Sequence, residues 1–479
     1  MSTTYRHGAY AIFEPSGLTV AAESGTLPVY FGVAPIHQLP DPAGKTGIPL
    51  LLENNARAQA LAGYSDRWGE FSLCEALYVH FRSGAPIGPI VVVNVFDPAI
   101  HREDAPATAE VLFAAGRGRL PDGKAILGTI AMEGKEPGTD FTAAYDDTGA
   151  GVVITDPTGA LTGQVAVTYT RADPSAVTTE ELTAAIRATV GQVYEVSGKV
   201  PTLLAAPGWS EDPEVSTALK AAAREISGHW SAYVLDDIDT GEARTIDEAI
   251  PKKRAELRTG AAQTPCWPLA TDGSRCFHLS TLSVAKMMEV DADNDDVPYE
   301  TCSNKPVEIT GLVVKDGRGG YQPIRFDQQE ANRLNEAGIR TAVFWGGRYR
   351  LWGGHTGAYD GSAGNAPDEI FDSSVRMAQY LGNSFQLAYG DEVDKPMHRA
   401  RIDTILNAVQ EGLDRLVNRG ALLYGKISFA PDSNPDSDIM GGQFVFDTGY
   451  TSAPQARAII NRYRYTSQGL VRLTGGEEA

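Results

Sequence analysis

Three places in the chain pair reactive residue types with spacings that enzymes use. Gly44-Lys45-Thr46 ends like a phosphate-binding loop, in which backbone amides cradle phosphates and the lysine reaches them. That motif needs Gly at position 39, where Leu39 stands, and Pro40, Pro42 and Pro49 crowd the segment, so a proline-rich loop is expected. Ser210 closes the run Leu203 to Ser210, LLAAPGWS, at the end of a predicted strand, where α/β enzymes bind ligands. No GxSxG surrounds it and no acid-base partner is evident, so the expectation is a structural turn. Asp291, Asp293, Asp295 and Asp296 form a carboxylate cluster with the charge to attract calcium. An EF-hand loop counted from Asp291 would need Gly at the position of Asp296 and Glu at that of Cys302, so a solvated loop or an intersubunit contact is expected.

The remaining residues with chemistry are dispersed. Cys74, Cys266, Cys276 and Cys302 lie too far apart for a CxxC knuckle and read as buried free thiols. The eight histidines are scattered singly, without a ligand neighbour at helical spacing. Neither cofactor nor metal is expected, and a deep pocket with convergent polar groups and shifted pKa values is expected to be absent.

The elements that would position such residues are more informative. In FDQQEANRLNEAGIRTAVFWGGRYRLWGGH, Phe326 to His355, Ala331, Leu334 and Ala337 recur at helical spacing after a capping Asp327, and Gly338 supplies a left-handed stop. Ile339 to Trp345 then reads as a mostly buried strand, and four glycines bracket Arg348 to Trp352. Upstream, Val29 to Val33 is a strand, Ser65 or Asp66 caps a helix with Trp68, Phe71, Cys74, Leu77 and Phe81 on one face, and Pro89 to Phe96 is an apolar strand. From His101 to Asp173 the chain is Gly-rich and strand-like, with FTAAY, GVVIT and VAVTY between turns, which reads as an all-β insertion. Alternation resumes with a helix over Thr178 to Val196, a strand at Thr202 to Ala206, a helix opened by Asp212-Pro213, a strand at Ala232 to Leu235 and a helix capped by Thr240. This rhythm predicts a mostly parallel sheet flanked by helices. After Lys395, Ile402, Ile405, Leu406, Val409, Leu413, Leu416 and Val417 mark an amphipathic helix stopped by Gly420, followed by strands at Leu422 to Phe429 and Gln443 to Asp447. Ala458 to Tyr465 satisfies helical and strand periods alike.

Composition excludes other classes. The 479 residues, 42% hydrophobic, are enough for two to four globular units. A net charge of −20 repels phosphate backbones and anionic bilayers, so neither a direct nucleic-acid partner nor direct membrane insertion is expected. MSTTYRHGAYAIFEPSG holds no apolar core of signal-peptide length, and a cytoplasmic site of synthesis is expected. Residues 395–475 hold ten Lys plus Arg against seven Asp plus Glu, a net of +3, which leaves −23 for the remainder.

Taken in order, these segments resemble the tail sheath proteins of contractile-tailed phages, related bacteriocins and contractile injection systems. The segment with LNEAGI before a strand and a WG turn, Trp352 to Thr356, is similar to the family's signature. LLAAPGWS resembles its APG turn, Pro298 with Ser303-Asn304-Lys305 its P..SNK segment, and Tyr169 to Ser175 the YT..DPS exit of its inserted β-sandwich. The helix running into Gly420-Ala421-Leu422 resembles its C-terminal domain. The resemblance implies a structural protein, not an enzyme, of the virion tail: hexameric rings stacked around a tail tube, with tube, baseplate and tail terminator proteins as partners. It implies an N-terminal arm (1–25), an α/β core (26–100 and 180–390), an inserted β-sandwich-like domain (101–179) and an α+β C-terminal domain with its own arm (391–479). The arms would link subunits through Tyr5, Tyr10, Ile12 and Phe13 at one end and Ile460, Arg462 and Arg464 at the other. Arg399, Arg401, Arg415 and Arg419 are the candidates to face the tube. The alternatives are the sheath of a headless bacteriocin or contractile injection system and, behind it, an α/β enzyme of unknown chemistry.

Overall fold

The computed structural model describes residues 22–23, 25–146, 148–362, 364–467, 470 and 473. The chain opens with β1 (Ala22–Glu23), β2 (Pro28–Gly32), β3 (Pro49–Leu52), α1 (Asn55–Ala62), α2 (Leu73–Phe81), β4 (Ile87–Gly88) and β5 (Ile90–Asn94). Six strands follow: β6 (Ala107–Ala114), β7 (Arg117–Leu120), β8 (Ala131–Met132), β9 (Thr142–Tyr145), β10 (Val152–Thr155) and β11 (Gly163–Tyr169). Alternation returns with α3 (Thr179–Thr189), α4 (Val193–Ser197), β12 (Leu203–Ala205), α5 (Pro213–Ala222), β13 (Tyr233–Asp237), α6 (Ile246–Ala255) and β14 (Gln263–Cys266). Next come β15 (Leu269–Thr271), β16 (Cys276–His278), α7 (Leu279–Asp293), β17 (Gly311–Lys315), β18 (Tyr321–Ile324), α8 (Gln328–Glu336), β19 (Thr341–Trp345) and β20 (Arg348–Trp352). The last elements are α9 (Asp372–Tyr389), α10 (Arg399–Arg419), β21 (Leu422–Ser428), α11 (Asp436–Met440) and β22 (Asp447–Ser452).

The central sheet has the order β14-β13-β12-β2-β5-β3. Every neighbour is parallel except β3, which runs antiparallel at the edge. PVYFG, IVVVN and YVLDD are buried at every position, because a strand covered on both faces must be apolar or internally paired throughout. The all-β stretch forms one antiparallel sheet, β8-β11-β6-β7-β10-β9, around its own core of Val111, Phe113, Leu120, Phe141, Val152, Ile154 and Val167. Two facing sheets were expected there. Pairing instead runs unbroken through all six strands.

The helix expected from Ser65 or Asp66 begins only at Leu73, after Ser72. Trp68 and Phe71 precede it in a turn closed by Phe71 N–H donating to Arg67 O at 3.0 Å. Thr240 does not cap α6. Thr245 does, with the Glu248 carboxylate accepting from its N–H at 3.0 Å, while the Thr240 hydroxyl accepts from Lys315 N. The last strand is displaced from Gln443–Asp447 to Asp447–Ser452, because the Asn434 amide takes both backbone groups of Val445, each at 2.8 Å, and leaves nothing there for a ladder.

In the Phe326 to His355 segment α8 starts with a capping box between Asp327 and Glu330, and Gly338 has φ +66°. A Cβ at Gly338 would sit 2.5 and 2.6 Å from the carbonyl oxygens of Thr356 and Tyr359, so both its conformation and its surroundings require glycine. The strand departs from expectation. Arg340 still bonds Pro265 and Trp267 along β14, but among the described residues β19 then pairs only with β20, and Phe344 and Trp345 at its far end are exposed.

Candidate assembly surfaces

In an open α/β sheet, chemistry belongs at the carboxyl ends of the parallel strands. Ser210 follows β12 and is fully buried, with its hydroxyl 3.4 Å from Asp237 at the end of β13. Asp237 also accepts from the N–H of Ser280 at 3.1 Å, and burial raises its carboxyl to about 6. His278 donates its backbone N–H to Glu75 at 2.7 Å and holds the same carboxylate through Nδ1 at 2.7 Å. Burial acts to lower this imidazole, but Glu75, then Asp237 and Glu211, raise it to about 10. Shifted groups therefore exist where none were expected. Their partners are one another, and Ser210 faces a carboxylate rather than an imidazole, so no nucleophile-base pair forms. The cluster ties α2, the β12 and β13 ends and the start of α7 together. A groove of about 930 Å³ lies elsewhere, between α2, α7 and the β19–β20 turn, lined by Arg82, Lys286, Glu289, Glu308, Phe344 and Arg348 among others.

The four aspartates separate in the structure. Asp291 is fully buried and forms a two-pronged ion pair with Arg376 of α9, and it accepts from the Thr26 hydroxyl at 2.6 Å. Asp295 pairs with Arg419 at 2.6 Å, and Asp296 accepts from Gly25 N–H at 2.7 Å. This corrects the solvated-loop expectation for Asp291, which serves as a fixed internal counter-charge. Among the described residues no group of three or more His, Cys, Asp or Glu is placed to hold a metal ion. Cys74, Cys266 and Cys302 are buried free thiols, and Cys276 is half-buried.

The surfaces fit for contact lie at the C-terminal end. Met377 of α9, Leu413 of α10, and Ala421, Leu422 and Ile427 form a separate small core, and Gly420 in a left-handed conformation (φ +84°) turns α10 into β21. Among the described residues β21 pairs only with β22, and the Gln410 amide takes Gly425 O and Ile427 N on its other side, so the free edge of this ribbon is that of β22, with Leu423 and Tyr424 exposed on β21. From Ala453 to Thr466 the chain is neither helix nor strand, which resolves the ambiguity of Ala458 to Tyr465. Ile459 is 90%, Ile460 78%, Tyr463 90% and Tyr465 95% exposed, a density of bare strand-forming residues that a chain finished by itself avoids.

Ile460, Arg462 and Arg464 all lie in that exposed segment. Tyr5, Tyr10, Ile12 and Phe13 lie outside the described residues. The four arginines do not form one patch. At 100° per residue Arg401, Arg415 and Arg419 share a side of α10, and Arg399 points roughly opposite. Arg399 pairs with Asp403, Arg401 with Glu392 and Arg419 with Asp295, while Arg415 has no ion pair among the described residues. Sequence reasoning missed the buried pairs Arg258–Asp236, Arg340–Asp372 and Arg376–Asp291. The only hint is an Arg flanked by apolar residues, as in GIRTAVF, and its partner is distant in sequence.

No protein-family model matches the chain. It is 26% identical, over 99% of its own length and 100% of the relative's, to the tail sheath protein of Burkholderia phage BcepMu. Its fold matches a chain of the anti-feeding prophage baseplate with a TM-score of 0.59 at 15% identity, covering 97% of this chain and 100% of that one. It also matches a contracted-state sheath of an extracellular contractile injection system with a TM-score of 0.57 at 12% identity, covering 98% and 100%. In sequence and in fold the chain is thus similar, from end to end, to contractile tail sheath proteins.

Proposed function

We propose that the chain polymerises as hexameric rings stacked helically around a tail tube. The lattice shortens and widens when a baseplate triggers it, driving the tube through a host envelope for genome ejection; tube, baseplate and tail terminator proteins are its partners. The observation that carries this reading is the conjunction, in one region, of a two-stranded ribbon whose strand β22 has a free edge among the described residues and an exposed segment, Ile459 to Tyr465, rich in residues that favour strands. Backbone groups at such edges are satisfied when a neighbour's segment adds a strand, which keeps subunits linked while their bodies rotate.

In this reading residues 26–100 and 180–390 move as one body, 101–179 form an outer insertion, and 391–479 supply the tube-facing unit and its arm. The +3 charge of residues 395–475 gives that unit a loose electrostatic grip on an acidic tube, led by Arg415 with Arg399, Arg401 and Arg419 exchanging their intramolecular partners. Assembly takes place in the host cytoplasm. The sheath of a headless bacteriocin or injection system is built on the same surfaces. Negative-stain microscopy of the purified protein tests the proposal: hollow tubes or rings with sixfold end views are expected, and a strictly monomeric species under all assembly conditions refutes it.

A further inference from the structure

The C-terminal segment is bound to the body at its root and nowhere else among the described residues before Thr466. After β22, the Ser452 hydroxyl donates to Ser374 Oγ at 3.1 Å, and Gln455 Nε2 donates to Asp372 Oδ1 at 2.9 Å and Ser373 Oγ at 2.7 Å. Arg457 Nη1 donates to the Tyr359 hydroxyl at 2.8 Å. All three acceptor residues in the first turn of α9 are buried, and Asp372 is wholly so.

Asp372 is the centre of this contact. Its Oδ2 accepts from the Arg340 guanidinium and from the Thr301 hydroxyl at 2.9 Å, and its Oδ1 accepts from Ser373 N–H at 2.7 Å. The Gln455 amide is the fourth donor and completes both oxygens of a carboxylate that has no access to water. Gly354 in the Trp352 to His355 turn admits this amide: a Cβ there would lie 2.3 Å from Gln455 Oε1, and the backbone at Gly354 is not left-handed, so close approach explains the missing side chain. Gly354 O accepts from Asp372 N–H at 3.0 Å, which fixes the turn against α9.

We propose that Gln455 is the positioning residue of the C-terminal arm: its amide, held by Asp372 and Ser373 in the slot over Gly354, sets where and in which direction the segment leaves the body. The inference rests on the reading of Ile459 to Tyr465 as a subunit-linking arm. A strand can add to a neighbour in register only if its root is fixed relative to its own body, and this latch supplies that fix without involving the exposed residues themselves.

Gln455→Glu sets a carboxylate against Asp372, and Gly354→Ala pushes the amide out of its slot without altering the segment. In the unassembled full chain, tryptic cleavage after Arg457 should quicken about tenfold in both variants, the shift expected when hydrogen bonds to a charged acceptor are lost. Cleavage after Arg462 and Arg464 should be unchanged, and tube growth should fail or yield irregular polymers. Gln455→Ala, which adds no charge, should behave alike if either variant folds poorly. Unchanged cleavage after Arg457 in all variants overturns the inference, as does faster cleavage with tube growth like that of the natural sequence. Ile459→Asp with Ile460→Asp tests the arm separately: normal tubes from that variant sink the arm reading, whereas blocked tubes there and normal tubes from Gln455→Glu sink the latch alone.

Discussion

Replacing Arg376 by Met should expose how α9, on which the C-terminal unit packs, is held to the rest of the body. Arg376 lies on α9 next to Met377, which belongs to the small core of the ribbon, and it pairs with Asp291 at the end of α7. Both side chains are almost fully buried. Burial raises the Asp291 carboxyl above its ordinary range even with Arg376 and then Thr26 pulling it down, so removing the guanidinium leaves a charge that the site cannot solvate. Breaking a buried pair from one side costs about 3–5 kcal/mol, whereas removing both charges costs far less because no orphan remains. Arg376→Met and Asp291→Asn should each lose roughly that amount, and the double variant should lose less than the sum by at least about 2 kcal/mol. Hydrogen exchange of α9 amides is the suitable assay, since it reads local opening without requiring the whole chain to unfold in one step. A loss below about 1 kcal/mol for Arg376→Met, or strict additivity, would refute the reasoning.

Three further outcomes are expected. Gly338→Ala combines a left-handed backbone with carbonyl oxygens 2.5 and 2.6 Å from the new Cβ, so thermal melting should show a loss of about 2–4 kcal/mol, against a gain of about 0.5–1 kcal/mol for the same change at open Gly382 inside α9. Burial lowers His37 and His80 to about 4. A depressed histidine contributes stability that is complete above about pH 6.5 and lost as pH falls towards 4, about 3 kcal/mol for each. Asp237, raised to about 6 by burial, acts in the opposite sense, so the comparison to make is the melting temperature from pH 7 to 4 for His80→Gln against the natural sequence. The variant's curve should be flatter, and parallel curves would contradict the assignment. Reversing Arg399, Arg401, Arg415 and Arg419 to Glu should leave circular dichroism unchanged and impair co-assembly with tube; tails that fill normally with tube would exclude the electrostatic grip.

Much of this protein was legible before any fold was known. The runs PVYFG and IVVVN, the capping box Asp327 to Glu330, the Gly338 and Gly420 stops and the amphipathic α10 are local signals, in which residue type and spacing settle backbone conformation within a few residues. The resemblance in the order of segments also needed only the sequence, and it pointed to the same proteins to which the whole chain is similar. Boundaries failed where a distant group overrode local preference. Asn434 holds Val445 and displaces the last strand, and Glu248 makes Thr245 rather than Thr240 the cap.

What only the tertiary structure decided are the contacts made across long stretches of chain. Asp291 looked like part of an acidic loop until Arg376, 85 residues away, was found against it. Gly354 looked like one of four turn glycines until Gln455, from the other end of α9 and beyond the ribbon, filled the space above it. Composition and periodicity report which residues must be buried and which backbone shapes are cheap. Which buried charge meets which counter-charge, and where an exposed segment is tethered, depend on how elements pack in three dimensions, and no local pattern encodes that.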